Sequence, residues 1–179
     1  MATRRRKETG RLTAAAVLTA LSVVVLAVGS IIEVLDLSAC AIASVLVAFV
    51  YIEIGSPYTW LVWLGTTLAS FICFSGSVLW LEYFLIFGIY PILKAYIERL
   101  PRKFWIFLKL IFVNAVLWLM FLGFELVFKT SVFIVDKLWM KIAIYALMNI
   151  AFIAYDMFVT VMIRFYLARL RPRFKHLLK

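Results

Sequence analysis

Six long and nearly uninterrupted apolar stretches dominate this sequence. They cover about residues 12–32, 37–54, 58–74, 78–97, 104–128 and 138–166. Each is close to the roughly 20 residues that an α-helix needs to cross a bilayer. The strands of a transmembrane barrel are about ten residues long and alternate between apolar and polar residues. These stretches are longer than that and do not alternate. The sequence therefore predicts an all-α, polytopic membrane protein, a bundle of six transmembrane helices.

The composition excludes a soluble domain. Of the 179 residues, 66% are apolar and 16% are charged, whereas a soluble domain is about 45–50% apolar. A soluble domain of this size has too much surface to hide so much apolar area. We therefore expect a single membrane domain over residues 1–179, in which 1–11 and 167–179 are basic tails.

Basic residues are concentrated in three parts of the chain. Sixteen of the nineteen lie in the N-terminal tail, between the fourth and fifth spans, or near the C-terminus. With six spans, all three parts lie on one side of the membrane. Cytoplasmic segments carry an excess of Lys and Arg, so we expect a plasma-membrane protein with both termini in the cytoplasm. Topology alone accounts for the net charge of +10, and the predicted partner of the basic face is anionic lipid rather than nucleic acid.

Residues suited to catalysis or cofactor binding are sparse. The single histidine, His176, lies in the basic C-terminal tail. The sequence contains none of the short patterns that hold a nucleotide, a catalytic metal or an activated nucleophile. We therefore predict a protein that is not an enzyme, with no metal and no cofactor.

Polar side chains recur on one helical face in each of the last two spans. On the sixth span they are Tyr145, Asn149, Asp156, Thr160 and Arg164, and on the fifth they are Asn114, Trp118 and Glu125. Polar groups within a membrane face protein or water rather than lipid, so we expect the two stripes to face each other. Lys109 lies at a depth similar to that of Asp156, and an ion pair between them would offset much of the cost of burial.

Three roles are open for these stripes: cohesion between helices, a proton or cation relay, and a solute pocket. Asn114 and Asp156 are interpreted as polar groups that hold helices together. The remaining candidates form the wall of a small-solute pocket nearer the outer face. These candidate ligand-binding residues are Trp118, Glu125, Tyr145 and Asn149.

The fourth span contains two residues that disturb a helix, Gly88 and Pro91. Because proline has no backbone N–H and crowds the preceding turn, we expect a kink there. The continuation over 92–100 carries Lys94 and Glu98 one turn apart. We interpret it as an amphipathic helix that leaves the bilayer and lies at the interface.

The first span contains Ala16 and Ala20, a pair of small residues one turn apart that lets another helix approach closely. Packing within the chain and docking of a partner are both open. The surrounding segment 11–22, RLTAAAVLTALS, resembles the first helix of the substrate-binding S components of energy-coupling-factor transporters. That resemblance implies a six-span bundle with cytoplasmic termini. It also implies that Ala16 and Ala20 dock a transmembrane coupling subunit driven by ATPases, and that a small solute binds near the outer ends of the later helices.

A second family is similar in size, span count and helical fold. This is the MreD family of cell-shape proteins. Similarity to it implies a membrane scaffold in the machinery of wall elongation, without transport. We therefore favour a solute-binding subunit of an uptake transporter and keep the scaffold as the alternative.

Overall fold

The computed structural model describes residues 2–127 and 138–172, with the side chains of all of these except 2–7, 33, 121, 123–127, 138, 141 and 170. His176 therefore lies outside the described residues. Within the described ranges the α-helices are α1 (Ala2–Ile31), α2 (Asp36–Glu53), α3 (Ser56–Cys73), α4 (Leu79–Glu82), α5 (Tyr90–Ile97), α6 (Trp105–Val127) and α7 (Leu138–Phe165). Single 3₁₀ turns lie at Glu33–Leu35 and Arg102–Phe104, and π-helical turns at Tyr83–Phe87 and Tyr166–Leu170.

The all-α class predicted from the sequence is confirmed, since every regular element of the described residues is helical. Five helical segments in these residues are long and apolar enough to cross a membrane. They are Glu8–Ile31, Asp36–Glu53, Leu79–Ile97, Arg102–Met120 and Ile142–Arg169. The third predicted span forms α3 but is not among the five, because its Ser, Thr, Pro, Tyr and Trp residues lower its average hydropathy.

The described residues divide into two compact units, one ending at Tyr96 and the other beginning at Ile97. In the first unit, α1 packs against both α2 and α3. The face of α1 that is buried carries mostly small residues at helical spacing, including Ala15, Ser22 and Gly29. A Cβ atom built on Gly29 would lie 2.6 Å from Cβ of Ala39, so α1 and α2 approach as closely as they do only because residue 29 has no side chain.

The helix over 79–97 is interrupted at the position where the sequence predicts a kink. The Gly88 N–H donates to the Tyr83 carbonyl at 2.7 Å, five residues back rather than four. The Phe84 carbonyl, which Gly88 would bond in a regular α-helix, accepts a hydrogen bond from the Trp63 indole N–H at 3.3 Å. The Trp63 and Phe84 rings also stack, with centroids 5.3 Å apart. A helix of the first unit thus satisfies a carbonyl that the π turn would otherwise leave without a donor.

Lys94 departs from the sequence interpretation. We expected it on the charged face of an interfacial helix, but only 2% of its surface is exposed. Its Nζ lies 5.8 Å from the centroid of the Tyr90 ring, one turn earlier on α5. The interpretation was wrong because Lys94 shares a helix face with Tyr90 and Ile97, and both of these residues are also buried. Among the basic residues of this segment, Arg99, Arg102 and Lys103 are exposed.

The contact at Gly29 gives a direct test of the packing of α1. Replacing Gly29 with Ala forces a Cβ against the Cβ of Ala39 on α2, so we expect the free energy of unfolding to fall by about 1–3 kcal/mol. Gly10→Ala is the matched control on the same helix, because a Cβ at Gly10 meets nothing within 4 Å. The better helix propensity of alanine predicts an unchanged or slightly raised stability there. Reversible unfolding by SDS in mixed micelles, followed by circular dichroism, measures the stability of both variants. Equal changes in stability for Gly29→Ala and Gly10→Ala would contradict the close packing at Gly29.

Candidate functional site

In the second unit, Lys109 on α6 binds two carboxylates. Its Nζ lies 2.8 Å from Asp156 Oδ2 and 3.0 Å from Oδ1 on α7, and 3.1 Å from Glu98 Oε1. The side chains of Lys109 and Asp156 are 12% and 21% exposed. The structure thus forms the pair expected between Lys109 and Asp156, and adds Glu98, which the sequence interpretation had placed on an interfacial surface. A lysine between two carboxylates compensates charges that would be costly to bury alone.

Further along the same two helices, three polar side chains meet at one oxygen. The Tyr145 hydroxyl donates to Asn114 Oδ1, and Asn149 Nδ2 lies 3.4 Å from the same atom. The amide nitrogens are satisfied locally, since Asn114 Nδ2 donates to the Leu110 carbonyl and Asn149 Nδ2 to the Tyr145 carbonyl. The polar stripes of α6 and α7 therefore face each other at these positions, and their groups largely satisfy one another.

The other predicted site residues are placed differently. The Trp118 side chain, one turn beyond Asn114, has 65% of its surface exposed and is not enclosed with the three polar groups. Glu125 belongs to α6, but its side chain lies outside the described residues. Ala16 and Ala20 are both exposed on α1, whereas neighbouring Ala15 is buried. Packing of α1 within the first unit therefore uses Ala15 rather than the pair of small residues.

A second polar cluster, which the sequence interpretation missed, lies in the first unit. Thr66 and Ser70 on α3 and Tyr83 at the start of the π turn are fully buried, with 0% exposure. We call these three residues the hydroxyl cluster. Among the described residues, no hydrogen-bond partner reaches any of their hydroxyl oxygens. The Tyr83 hydroxyl lies beside Thr66, but without the geometry of a hydrogen bond.

Two carboxylates, those of Glu82 and Asp36, also lie in the first unit. Glu82 precedes Tyr83 in the chain and lies close enough to Asp36, at the start of α2, for the two carboxylates to repel each other. The thiol of Cys40, a free and buried cysteine, interacts with both of them and with Tyr83. Among the described side chains, none hydrogen-bonds the buried Glu82 Oε2.

Other buried hydroxyls on the same helices are satisfied in the ordinary way. Thr59 Oγ1 donates to the Gly55 carbonyl at 3.0 Å, and Thr67 Oγ1 to the Trp63 carbonyl at 2.8 Å. Ser44 Oγ on α2 similarly donates to the Ala41 carbonyl. Bonds of this kind to a carbonyl one turn back are the usual solution for a hydroxyl in an apolar helix. Thr66 and Ser70 do not adopt it, so their free hydroxyls are a property of this position and not of the helix.

One sequence signal pointed to this cluster without being sufficient, since Thr59, Thr66 and Ser70 follow one face of the third span. Only the packing of α3 against the segment from α4 into the π turn brings Thr66 and Tyr83 together.

The described residues thus define an all-helical protein with helices suited to crossing a bilayer, the pattern of an integral membrane protein. They contain no group of three or more His, Cys, Asp and Glu side chains arranged to hold a metal ion. Comparisons with known protein families, with curated proteins and with solved structures give no match.

The ion pair of the second unit gives a ranked stability prediction. Lys109→Met leaves two partly buried carboxylates without their cation, so we expect the free energy of unfolding to fall by about 3 kcal/mol. Asp156→Leu leaves Lys109 paired with Glu98 and is expected to cost less. The double variant should lose less than the sum of the two, because it removes both charges of the closest pair. Unfolding in SDS measures the stability of all three variants, and Lys103→Met, at an exposed lysine, is the control. Strictly additive losses of stability would contradict the pairing of Lys109 with Asp156.

Proposed function

We propose that the protein is a six-span membrane protein with both termini in the cytoplasm, which binds a small solute and docks a coupling subunit of an uptake transporter. The distribution of basic residues supports this orientation. With an even number of crossings, sixteen of the nineteen Lys and Arg residues lie on one side of the membrane, as the positive-inside rule expects for the cytoplasmic side. Five crossings would place the basic N- and C-terminal segments on opposite sides.

The third helix supplies the sixth crossing. With 18 residues, α3 is about 27 Å long, close to the thickness of the hydrocarbon core. Its Ser and Thr residues are mostly buried within the first unit, while its exposed positions are apolar. The large exposed side chains along it are Trp60, Leu61, Leu64, Leu68, Phe71 and Ile72. A helix with its polar residues turned inward and an apolar outer surface suits lipid, although its average hydropathy is modest.

Exposure of the alanine pair supports the docking role. Ala16 and Ala20 are available on the surface of α1 because Ala15, Ser22 and Leu26 make the buried face. The similarity to S components assigns this pair to contact with a coupling subunit. The same similarity places the solute near Trp118, Glu125, Tyr145 and Asn149, and two of these, Tyr145 and Asn149, meet at Asn114.

One observation favours the alternative, a non-transporting scaffold similar to the MreD family. The polar groups at Asn114, Tyr145 and Asn149 bond to one another, as expected if they join helices rather than bind a solute. In that case the partners would be proteins of wall synthesis. No ATPase would accompany them.

The topology has a test that uses a native residue. Cys73 is exposed at the end of α3, so in a Cys40→Ser background we expect a membrane-impermeant maleimide to label it in intact cells. In the variant that adds Cys73→Ser and Glu53→Cys, the cysteine lies at the end of α2, just before the opposite end of α3. We expect that site to react only after permeabilisation. Labelling of both sites from the same side would show that α3 does not cross the membrane.

Docking is tested by purifying the tagged full-length chain from its native membranes. We expect a second integral membrane subunit and an ATPase to copurify in fixed proportion. Ala16→Leu with Ala20→Leu should reduce their recovery several-fold, because larger side chains keep helices apart. Val24→Leu, an exposed position on the same helix, is the control and should leave recovery unchanged. Recovery of wall-synthesis proteins without an ATPase would favour the scaffold.

A further inference from the structure

We propose that the turn leading into α6 binds one anionic phospholipid, with Arg102 and Lys103 at its phosphate and an exposed face of α6 along its acyl chains. The site lies wholly within the second unit, which begins at Ile97. It goes beyond the proposed function, because it requires neither a coupling subunit nor a solute. The observation behind it is a pair of exposed basic side chains at the end of an exposed apolar helix face.

The two basic residues lie at the end of a helix that is suited to crossing a membrane. The segment that is long and apolar enough to do so is Arg102–Met120. Arg102 and Lys103 form the 3₁₀ turn that leads into α6, and both are exposed. The ends of a transmembrane segment lie at the level of the lipid headgroups. The two side chains are therefore at the depth of the lipid phosphates.

The positive charge of this turn is not neutralised within the described part of the chain. Glu98, the nearest carboxylate in the sequence, binds Lys109 with a distance of 3.1 Å between Oε1 and Nζ. Asp156 binds the same lysine. No described carboxylate pairs with Arg102 or Lys103. Each basic residue close to a bilayer favours an anionic lipid by roughly fivefold in affinity, so the pair selects for a negatively charged headgroup.

Trp105 holds the turn in one conformation. Its indole N–H donates to the Leu100 carbonyl at 2.7 Å. The Phe104 N–H donates to the Pro101 carbonyl at 3.0 Å. Together these bonds close the segment that carries the two basic residues. Groups that are already held in place lose less conformational entropy when a ligand binds, so Trp105 acts as a positioning residue for the headgroup.

An apolar face of α6 continues from the basic pair into the membrane. Phe104, Phe107 and Ile111 are three and four residues apart, so they lie on one side of the helix. Between 49% and 64% of the surface of each is exposed. At 1.5 Å per residue this face extends about 10 Å along the helix. A free phosphate ion makes no contact with such a face, whereas a lipid lays an acyl chain along it, and the surface therefore fits a phospholipid.

The binding experiment is native mass spectrometry of the full-length chain. The chain is released from detergent micelles that contain equal amounts of dioleoyl phosphatidylglycerol and dioleoyl phosphatidylcholine. Where one lipid is retained per chain, we expect the phosphatidylglycerol adduct to exceed the phosphatidylcholine adduct several-fold. Added inorganic phosphate should not displace the lipid, because it has no acyl chains. Equal adducts of the two lipids, or displacement by phosphate, would overturn the proposal.

Two double variants of equal charge locate the site. Arg102→Gln with Lys103→Gln removes both headgroup contacts, so we expect most of the preference for phosphatidylglycerol to disappear. Lys7→Gln with Arg11→Gln removes the same charge from the N-terminal basic segment and should keep the preference. Equal losses in the two double variants would show that net charge selects the lipid, and the assignment to this turn would then be wrong.

Trp105→Phe separates the shape of the turn from its charge. The variant keeps an aromatic ring and every basic residue but removes the N–H that bonds the Leu100 carbonyl. We expect its preference for phosphatidylglycerol to fall by about two- to threefold, with an unchanged melting temperature in detergent without lipid. A variant that retains the full preference would contradict the positioning role of Trp105.

Discussion

A polar group placed in lipid has no water to bond, and this constraint governs most of the structure. The helices satisfy their own backbone groups, and most buried hydroxyls follow the same rule, as Thr59 and Thr67 do by bonding carbonyls of their own helix. Trp63 extends the rule to the break at Gly88 by donating to the Phe84 carbonyl. Among the described residues, few buried polar atoms of side chains lack a hydrogen-bond partner. Those few are therefore the exceptions that need a physical explanation.

The two units handle their polar side chains in different ways. In the second unit, Lys109 bonds Asp156 and Glu98, so that opposite charges neutralise each other within the protein. In the first unit, the fully buried hydroxyls of Thr66, Ser70 and Tyr83 have no hydrogen-bond partner among the described residues. Mutual satisfaction of polar groups is what cohesion between helices requires.

Much of the fold could be predicted from the sequence, and the site could be predicted only in part. Hydropathy and charge located the helices. The similar depth of Lys109 and Asp156 predicted their pairing, and the spacing of polar residues predicted that the stripes carrying Asn149 and Asn114 would face each other. Each of these pairs lies between two helices adjacent in the chain, where periodicity shows which faces are polar. Lys94 was misplaced because charge alone suggested water, although its helix face is buried.

By itself, the sequence determined the class of protein and the extent of its helices, because the bilayer imposes length and apolarity on each helix separately. Only the tertiary structure decided that the fully buried Thr66 and Tyr83 lie beside each other, and that Ala15 rather than Ala16 packs inward. Such groupings depend on how α2, α3 and the π turn rotate against one another. Those rotations are set by close contacts between helices, as at Gly29 and Gly88, which the pattern of a single helix does not contain.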